Sequence, residues 1–171
     1  MDTLSHLMNG FAAWIKHTGV GAPMTATPWL WPLCETLHFI GLALLIGIAG
    51  LFDLRMLGLV RRVSLAAVMD LRGWAALGLG INLVTGLMFF VGAPDQYIRN
   101  PAWWAKVAFI LIAGLNILAF ELSSNAKALV DRVGPGDNTP LRLKLAGGVS
   151  LFSWFAVLYF GRMLPFIGNA F

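Results

Sequence analysis

The run Gly73–Gly92, GWAALGLGINLVTGLMFFVG, contains no charged side chain. An α-helix rises about 1.5 Å per residue, so a run of roughly 20 residues covers the hydrocarbon core of a bilayer. Three other stretches have comparable length. Trp31–Phe52 holds Glu35 and His38, Ala102–Phe120 holds Lys106, and Leu145–Phe166 holds Arg162. In lipid, only helices and closed barrels satisfy every backbone polar group. None of the four runs alternates with the two-residue period of a barrel strand. The chain therefore reads as an all-α polytopic membrane protein, a four-transmembrane-helix bundle with spans at about 31–52, 73–92, 102–120 and 145–166.

Composition agrees. Of 171 residues, 58% are hydrophobic and 12% charged, with a mean hydropathy of +0.77. A soluble domain carries about 25% charged residues. Disorder is excluded, because disordered chains are rich in charge and poor in large apolar side chains. The net charge of +4 comes from basic residues at helix ends, with no basic stripe carrying interleaved aromatics, so nucleic acid is not an expected partner. The lone cysteine, Cys34, cannot form an internal disulfide. No basic n-region and continuous apolar h-region precede Lys16 and His17, so no cleavable signal peptide is expected.

The basic residues set an expected orientation. Arg55, Arg61, Arg62 and Arg72 cluster over 53–72, and Lys127, Arg132, Arg142 and Lys144 over 121–144. The positive-inside rule puts both connections in the cytoplasm and both termini on the periplasmic side of a bacterial inner membrane. Residues 1–27 form a separate N-terminal segment, ahead of the transmembrane domain at 28–171. Within it Leu4, Leu7, Met8, Phe11 and Ile15 repeat at helical spacing, opposite His6, Lys16 and His17. That pattern predicts an amphipathic interfacial helix. Ser64 is a candidate cap for a short helix, and 134–140 is a turn or mobile loop. Gly73, Ala76 and Gly80, Gly47 and Gly50, and Gly147 and Gly148 are candidate close-packing positions, and Asn82 and Asn116 candidate interhelical hydrogen-bonding residues.

Ionisable groups inside a membrane are costly and mark candidate sites. By depth, Glu35, His38, Lys106 and Arg162 share the outer level, with Tyr97, Trp103, Trp104 and Tyr159 nearby. Two readings follow: a neutralised buried network in which Glu35 pairs with Arg162 or Lys106, or a pocket for a quinone head group or small anion. Asp53, Arg55 and Glu121 share the cytoplasmic level and read as loop anchors. Glu35 and His38 have the Glu-x-x-His spacing of di-iron bundles, but no further carboxylate lies at that depth. Cys34, His38 and Met163 form a candidate soft set for copper. Haem b normally takes two axial ligands, and only His38 of the three histidines lies within a span.

The stretch Glu35-Thr36-Leu37-His38-Phe39-Ile40-Gly41, followed by Asp53-Leu54-Arg55-Met56-Leu57-Gly58, resembles an uncharacterised family of small four-helix bacterial inner-membrane proteins. Those proteins share E-x-L-H-x-x-G and then L-D-L-R-x-L-G, and Phe52 stands here for the first Leu of the second motif. Asn100-Pro101 with Lys106, Asn116, and Gly161-Arg162 are similar to later landmarks of the family. In architecture the chain also loosely resembles copper-resistance membrane domains and b561-type cytochromes, a likeness of fold that assigns no function. Two functional classes follow. One is a structural or small-ligand-binding module with a periplasmic or membrane protein partner or a second copy of itself. The other is a membrane redox component binding a quinone, haem b or copper. No nucleophile–base pair or phosphate loop is visible, and the sequence does not point to an enzyme.

Overall fold

A computed structural model of the protein describes His6, Gly10–Ile15, Gly19 and Gly21–Gly168. Its helices are α1 (Ala22–Ala26), α2 (Leu30–Leu57), α3 (Leu65–Met69), α4 (Arg72–Gly92), α5 (Pro94–Ile98), α6 (Pro101–Leu122), α7 (Ser124–Arg132) and α8 (Leu141–Met163). Gly10–Ile15 is also helical, and no strand occurs among the described residues. Four helical stretches are long and apolar enough to cross a membrane: Leu30–Leu57, Leu65–Gly92 (α3 with α4), Pro101–Leu122 and Leu141–Met163.

The long helices do not form a closed square. Helix α2 packs on α4 and α8, and α8 packs on α6, whereas α4 and α6 make no extensive contact. Their order is therefore α4, α2, α8, α6, with a cleft between the outer two. One crossing is unusually close. A Cβ on Gly78 would lie 2.6 Å from the Gly41 carbonyl oxygen and 2.8 Å from the Leu45 nitrogen. The glycines expected to pack behave differently. A Cβ on Gly47, Gly50, Gly73 or Gly80 would meet nothing within 4 Å, whereas one on Gly147 would lie 2.8 Å from Met56 Cβ. Small residues mark a close approach only where a partner helix crosses them, and spacing along one helix does not reveal where that is.

Helix α2 runs further than hydropathy suggested, so Asp53 and Arg55 belong to its last turns and not to a loop. Gly58 ends it at φ +84°, where Gly58 N–H donates to Arg55 O and Leu59 N–H to Leu54 O, both at 3.0 Å. This is a Schellman stop, which glycine adopts without a Cβ penalty. Ser64 caps α3, accepting from Ala67 N at 3.4 Å. The connection expected at 121–144 contains α7, whose first turn Ser123 caps by accepting from Ala126 N at 3.2 Å. Helix α8 stops at Met163, one residue short of Leu164-Pro165. Leu164 keeps helical dihedrals (φ −48°, ψ −46°), but Pro165 has no N–H to donate to the Gly161 carbonyl, so the ladder ends where hydropathy alone does not register a stop.

Arg55 joins the two basic connections. It is fully buried. Its Nε donates to Val63 O at 2.6 Å, Nη2 to Gly134 O at 2.8 Å and Nη1 to Thr139 Oγ1 at 3.1 Å. The 134–140 turn is thus tied to the end of α2, and Gly136 N also donates to Arg61 O at 2.8 Å. Below it Met56, Leu65, Val130, Val133 and Leu143 form a small core. At the N-terminus Leu4, Leu7, Met8, Lys16 and His17 lie outside the described residues. Phe11 and Trp14 are exposed, and Ala12 and Ile15 are buried.

The Gly41–Gly78 crossing has a testable consequence. Gly78→Ala should destabilise the purified protein by about 1 to 3 kcal/mol through overpacking against backbone. Gly80→Ala, on an open face, should be neutral or slightly stabilising because alanine is the better helix former. Thermal unfolding of both variants in one detergent measures the difference, and equal midpoints would mean that α2 and α4 do not cross there.

Candidate functional site

The cleft contains a cavity of about 510 Å³ at the end of the bundle that carries His38. Glu35 and His38 from α2, Phe89 from α4, Lys106 from α6 and Arg162 from α8 all line it, and Tyr97 of α5 adds its ring. The four side chains singled out by depth therefore face one space. They do not form the expected neutralised, buried network. Glu35 and Arg162 are exposed, and His38 and Lys106 are half-buried. Glu35 makes no ion pair with Lys106 or Arg162 among the described residues. Its Oε1 instead accepts from Trp31 Nε1 at 3.2 Å, and the Arg162 guanidinium sits 5.9 Å from the Phe166 ring centroid. The cavity itself keeps the opposite charges apart.

His38 is held by α4. Its Nδ1 lies 2.7 Å from Thr85 Oγ1, and that hydroxyl donates to Ile81 O at 2.7 Å. A threonine hydroxyl has one proton. With it committed to Ile81, Thr85 must accept from His38, which places a proton on Nδ1. In the neutral ring Nε2 is then an acceptor, and it has no hydrogen-bond partner among the described residues. Phe89 meets the imidazole edge-on at 5.7 Å between centroids. Thr85 was missed from sequence. The signal was available, since Asn82 and Thr85 are the polar side chains of an otherwise apolar span, four and seven residues after Gly78.

Lys106 reaches the cavity across Gly161. A Cβ at 161 would lie 3.5 Å from Nζ and 3.7 Å from Cδ and Cε, so the lysine stem runs in van der Waals reach of this turn of α8. Asn100, 2% exposed, holds this corner together. Its Oδ1 caps α6 by accepting from Ala102 N at 2.9 Å, and Nδ2 donates to Leu164 O at 2.8 Å. Trp103, Trp104 and Tyr159 do not line the cavity. Trp103 stacks on Phe90 at 5.2 Å, and Trp104 Nε1 donates to Ile98 O at 2.8 Å.

The soft set is rearranged as well. Cys34 is buried and its Sγ lies 3.7 Å from Met88 Sδ on α4. Met88, not Met163, is the sulfur beside Cys34, and Met163 is not among the residues lining the cavity. Sequence depth cannot choose between two methionines at one level, because the choice depends on which helix α2 packs against. Among the described residues no three of His, Cys, Asp and Glu are grouped as a metal site would need. At the opposite end Asp53, Arg55 and Glu121 do not form one group. Arg55 turns to the connections, Glu121 pairs with Lys127 at 2.8 Å, and Asp53 and Glu121 line a second cavity. Of the two asparagines, Asn116 crosses helices, donating to Ala146 O at 3.0 Å, while Asn82 donates within α4 to Gly78 O at 2.8 Å.

The family model for a family of unknown function, DUF6644, matches residues 17–167. The chain belongs to that family. No curated protein and no solved structure matches the chain. The matched span includes every residue lining the His38-end cavity.

Tyr97 reports on this space. Burial raises its phenol pKa above the ordinary 10.0, and the Glu35 carboxylate adds to the rise. A raised folded-state value means the folded protein favours the neutral phenol. The stability this contributes is fully present below about pH 10 and is lost as pH rises through the folded value. With Tyr159→Phe removing the chain's other tyrosine, ultraviolet titration of the phenolate should show a midpoint above 10.0. Adding Glu35→Gln should lower that midpoint. No change on adding it would remove Glu35 from the neighbourhood of Tyr97.

Proposed function

We propose that this protein is a multi-pass protein of the bacterial inner membrane that binds a lipid-soluble quinone, with the head group in the His38-end cavity. One observation carries this reading: an acceptor nitrogen, His38 Nε2, and an unpaired donor, Lys106 Nζ, face the same aromatic-walled cavity. A quinone and its quinol present two oxygens at opposite ends of one flat ring. In the reduced form a hydroxyl donates a hydrogen bond to Nε2, and in either form the far oxygen accepts from the ammonium. Trp31, Phe39 and Phe89 supply apolar walls for the ring. The gap between α4 and α6 supplies a way in from the bilayer for the tail. A small anion would use the two cations but would not need those walls, and a cavity of about 510 Å³ is larger than it requires.

The same reading places both termini and the His38 end on the periplasmic face, with the Arg55 end in the cytoplasm, because Arg55, Arg61, Arg62, Arg72 and the basic residues of 127–144 gather there. The helical residues Gly10–Ile15 then lie at the outer interface, with Phe11 and Trp14 toward lipid and Ala12 and Ile15 toward the bundle. Reporter fusions after residues 63 and 136 should report cytoplasm, and fusions near residue 96 should report the periplasm. The reverse pattern would turn the cavity to the inside.

Binding is tested by adding a short-chain quinone to protein in nanodiscs and following the quenching of Trp31 against a Trp31→Phe control. Saturable quenching is expected, with the quinone binding about tenfold more weakly to Lys106→Ala, the loss of one hydrogen bond from a charged donor, and the quinol, added under reducing conditions, about tenfold more weakly to His38→Ala as well. Solvent extraction of the purified protein should recover quinone from the wild type and little from Lys106→Ala. No saturable quenching together with no extractable quinone would exclude the reading.

A further inference from the structure

The second cavity, about 490 Å³, occupies the cleft at the Arg55 end. Ile48, Phe52, Ala76, Leu79, Ile117 and Phe120 give it apolar walls. Arg72, Asn116, Glu121 and Ser150 add polar groups to the lining, and Asp53 is its buried carboxylate. It is 2% exposed, it lines the cavity, and its Oδ2 has no hydrogen-bond partner. Ser150 lines the cavity beside it.

Among the described residues no cation pairs with this carboxylate. Arg55 is committed to Val63, Gly134 and Thr139, and Lys127 to Glu121. Arg72 lines the cavity but is exposed and forms no ion pair among the described residues. An ionised carboxylate taken out of water without a partner costs several kcal/mol. An inorganic cation is a poor answer. Calcium needs six or more oxygen ligands and magnesium an octahedron, and no group of three metal-binding side chains occurs among the described residues. An organic cation needs one carboxylate and an apolar wall, and both are present.

We propose that this cavity binds an amphiphile with an ammonium head group, its N–H on Asp53 Oδ2 and its apolar body along the cleft toward Leu45 and Leu79. The opening between α4 and α6 admits such a ligand from the bilayer. The same chemistry has two sources, a free hydrophobic amine and a phosphatidylethanolamine head group, whose phosphate would meet Arg72 at the rim. The site is independent of the quinone cavity and shares no lining residue with it.

Equilibrium dialysis of naphthylethylamine, and of its neutral N-acetyl derivative, against protein in phosphatidylcholine nanodiscs tests this. The amine should bind saturably. The acetyl derivative should bind at least about tenfold more weakly, as should the amine to Asp53→Asn, since each change removes one member of a desolvated charge pair. Asp131→Asn, which removes an exposed carboxylate, should leave binding unchanged. Ala76→Phe fills the cavity with Asp53 intact and should cause the same loss, which separates ligand exclusion from any folding defect of Asp53→Asn. Replacing part of the phosphatidylcholine by phosphatidylethanolamine should displace the amine if the lipid is the natural occupant, and leave binding intact if a free amine is. Equal binding of the amine and its acetyl derivative, unaltered binding to Asp53→Asn, or no saturable binding in phosphatidylcholine would overturn the proposal.

Discussion

The approach of Gly41 to Gly78 sets the register on which the rest of the bundle depends. With no Cβ on either residue, the backbones of α2 and α4 come close enough that Gly41 O would be 2.6 Å from a side chain at 78. Water does not drive helices together in lipid, so association rests on this kind of contact. Once it forms, every other pairing along the two helices follows from helical spacing. Cys34 meets Met88, His38 meets Thr85, and Trp31 meets Phe89 at 5.1 Å between centroids. A slip of one residue would rotate α4 by about 100° and carry Thr85 away from His38. The histidine's tautomer is thus a consequence of two glycines on facing helices.

Arg55 does the corresponding work at the other end. Three neutral acceptors hold its guanidinium, and none of them is a carboxylate. Desolvating the cation costs several kcal/mol. Hydrogen bonds from a charged donor return about 1.5 to 3 kcal/mol each, and the carbonyl end of the α2 dipole adds a few tenths. The sum is close to balance, so the gain is one of geometry. Two connections far apart in sequence are fixed to one helix end, and Val63 O and Gly134 O would lose their donor if the arginine were removed.

These two anchors leave α4 and α6 apart, and the resulting cleft holds both cavities. The ends differ in chemistry. At the His38 end the polar groups are exposed to the cavity, and opposite charges stand across it unpaired. At the Arg55 end one buried carboxylate faces apolar walls. A membrane protein that uses its charged side chains only for packing would be expected to pair them, since unpaired charge in lipid is expensive. The spacing between Glu35, Lys106 and Arg162 is the reason the cleft reads as a place for ligands.

Hydropathy alone located the four helices long and apolar enough to cross a membrane, because length and apolarity are local properties of the chain. Depth counting from the same spans brought Glu35, His38, Lys106 and Arg162 to one level, and all four do line one cavity. What it could not supply was direction. Whether Glu35 pairs with Arg162, which methionine meets Cys34, and which way Arg55 turns depend on helix rotation and neighbour order. Those are set by contacts between residues distant in sequence, such as Gly41 with Gly78 and Arg55 with Thr139. Glycine spacing on one helix looks the same whether or not another helix crosses it, so Gly80 and Gly78 were indistinguishable until both helices were in place. The sequence by itself determined the number, length and polarity of the helices. Only the tertiary structure decided which two of them would stand apart, because that depends on where backbones can touch.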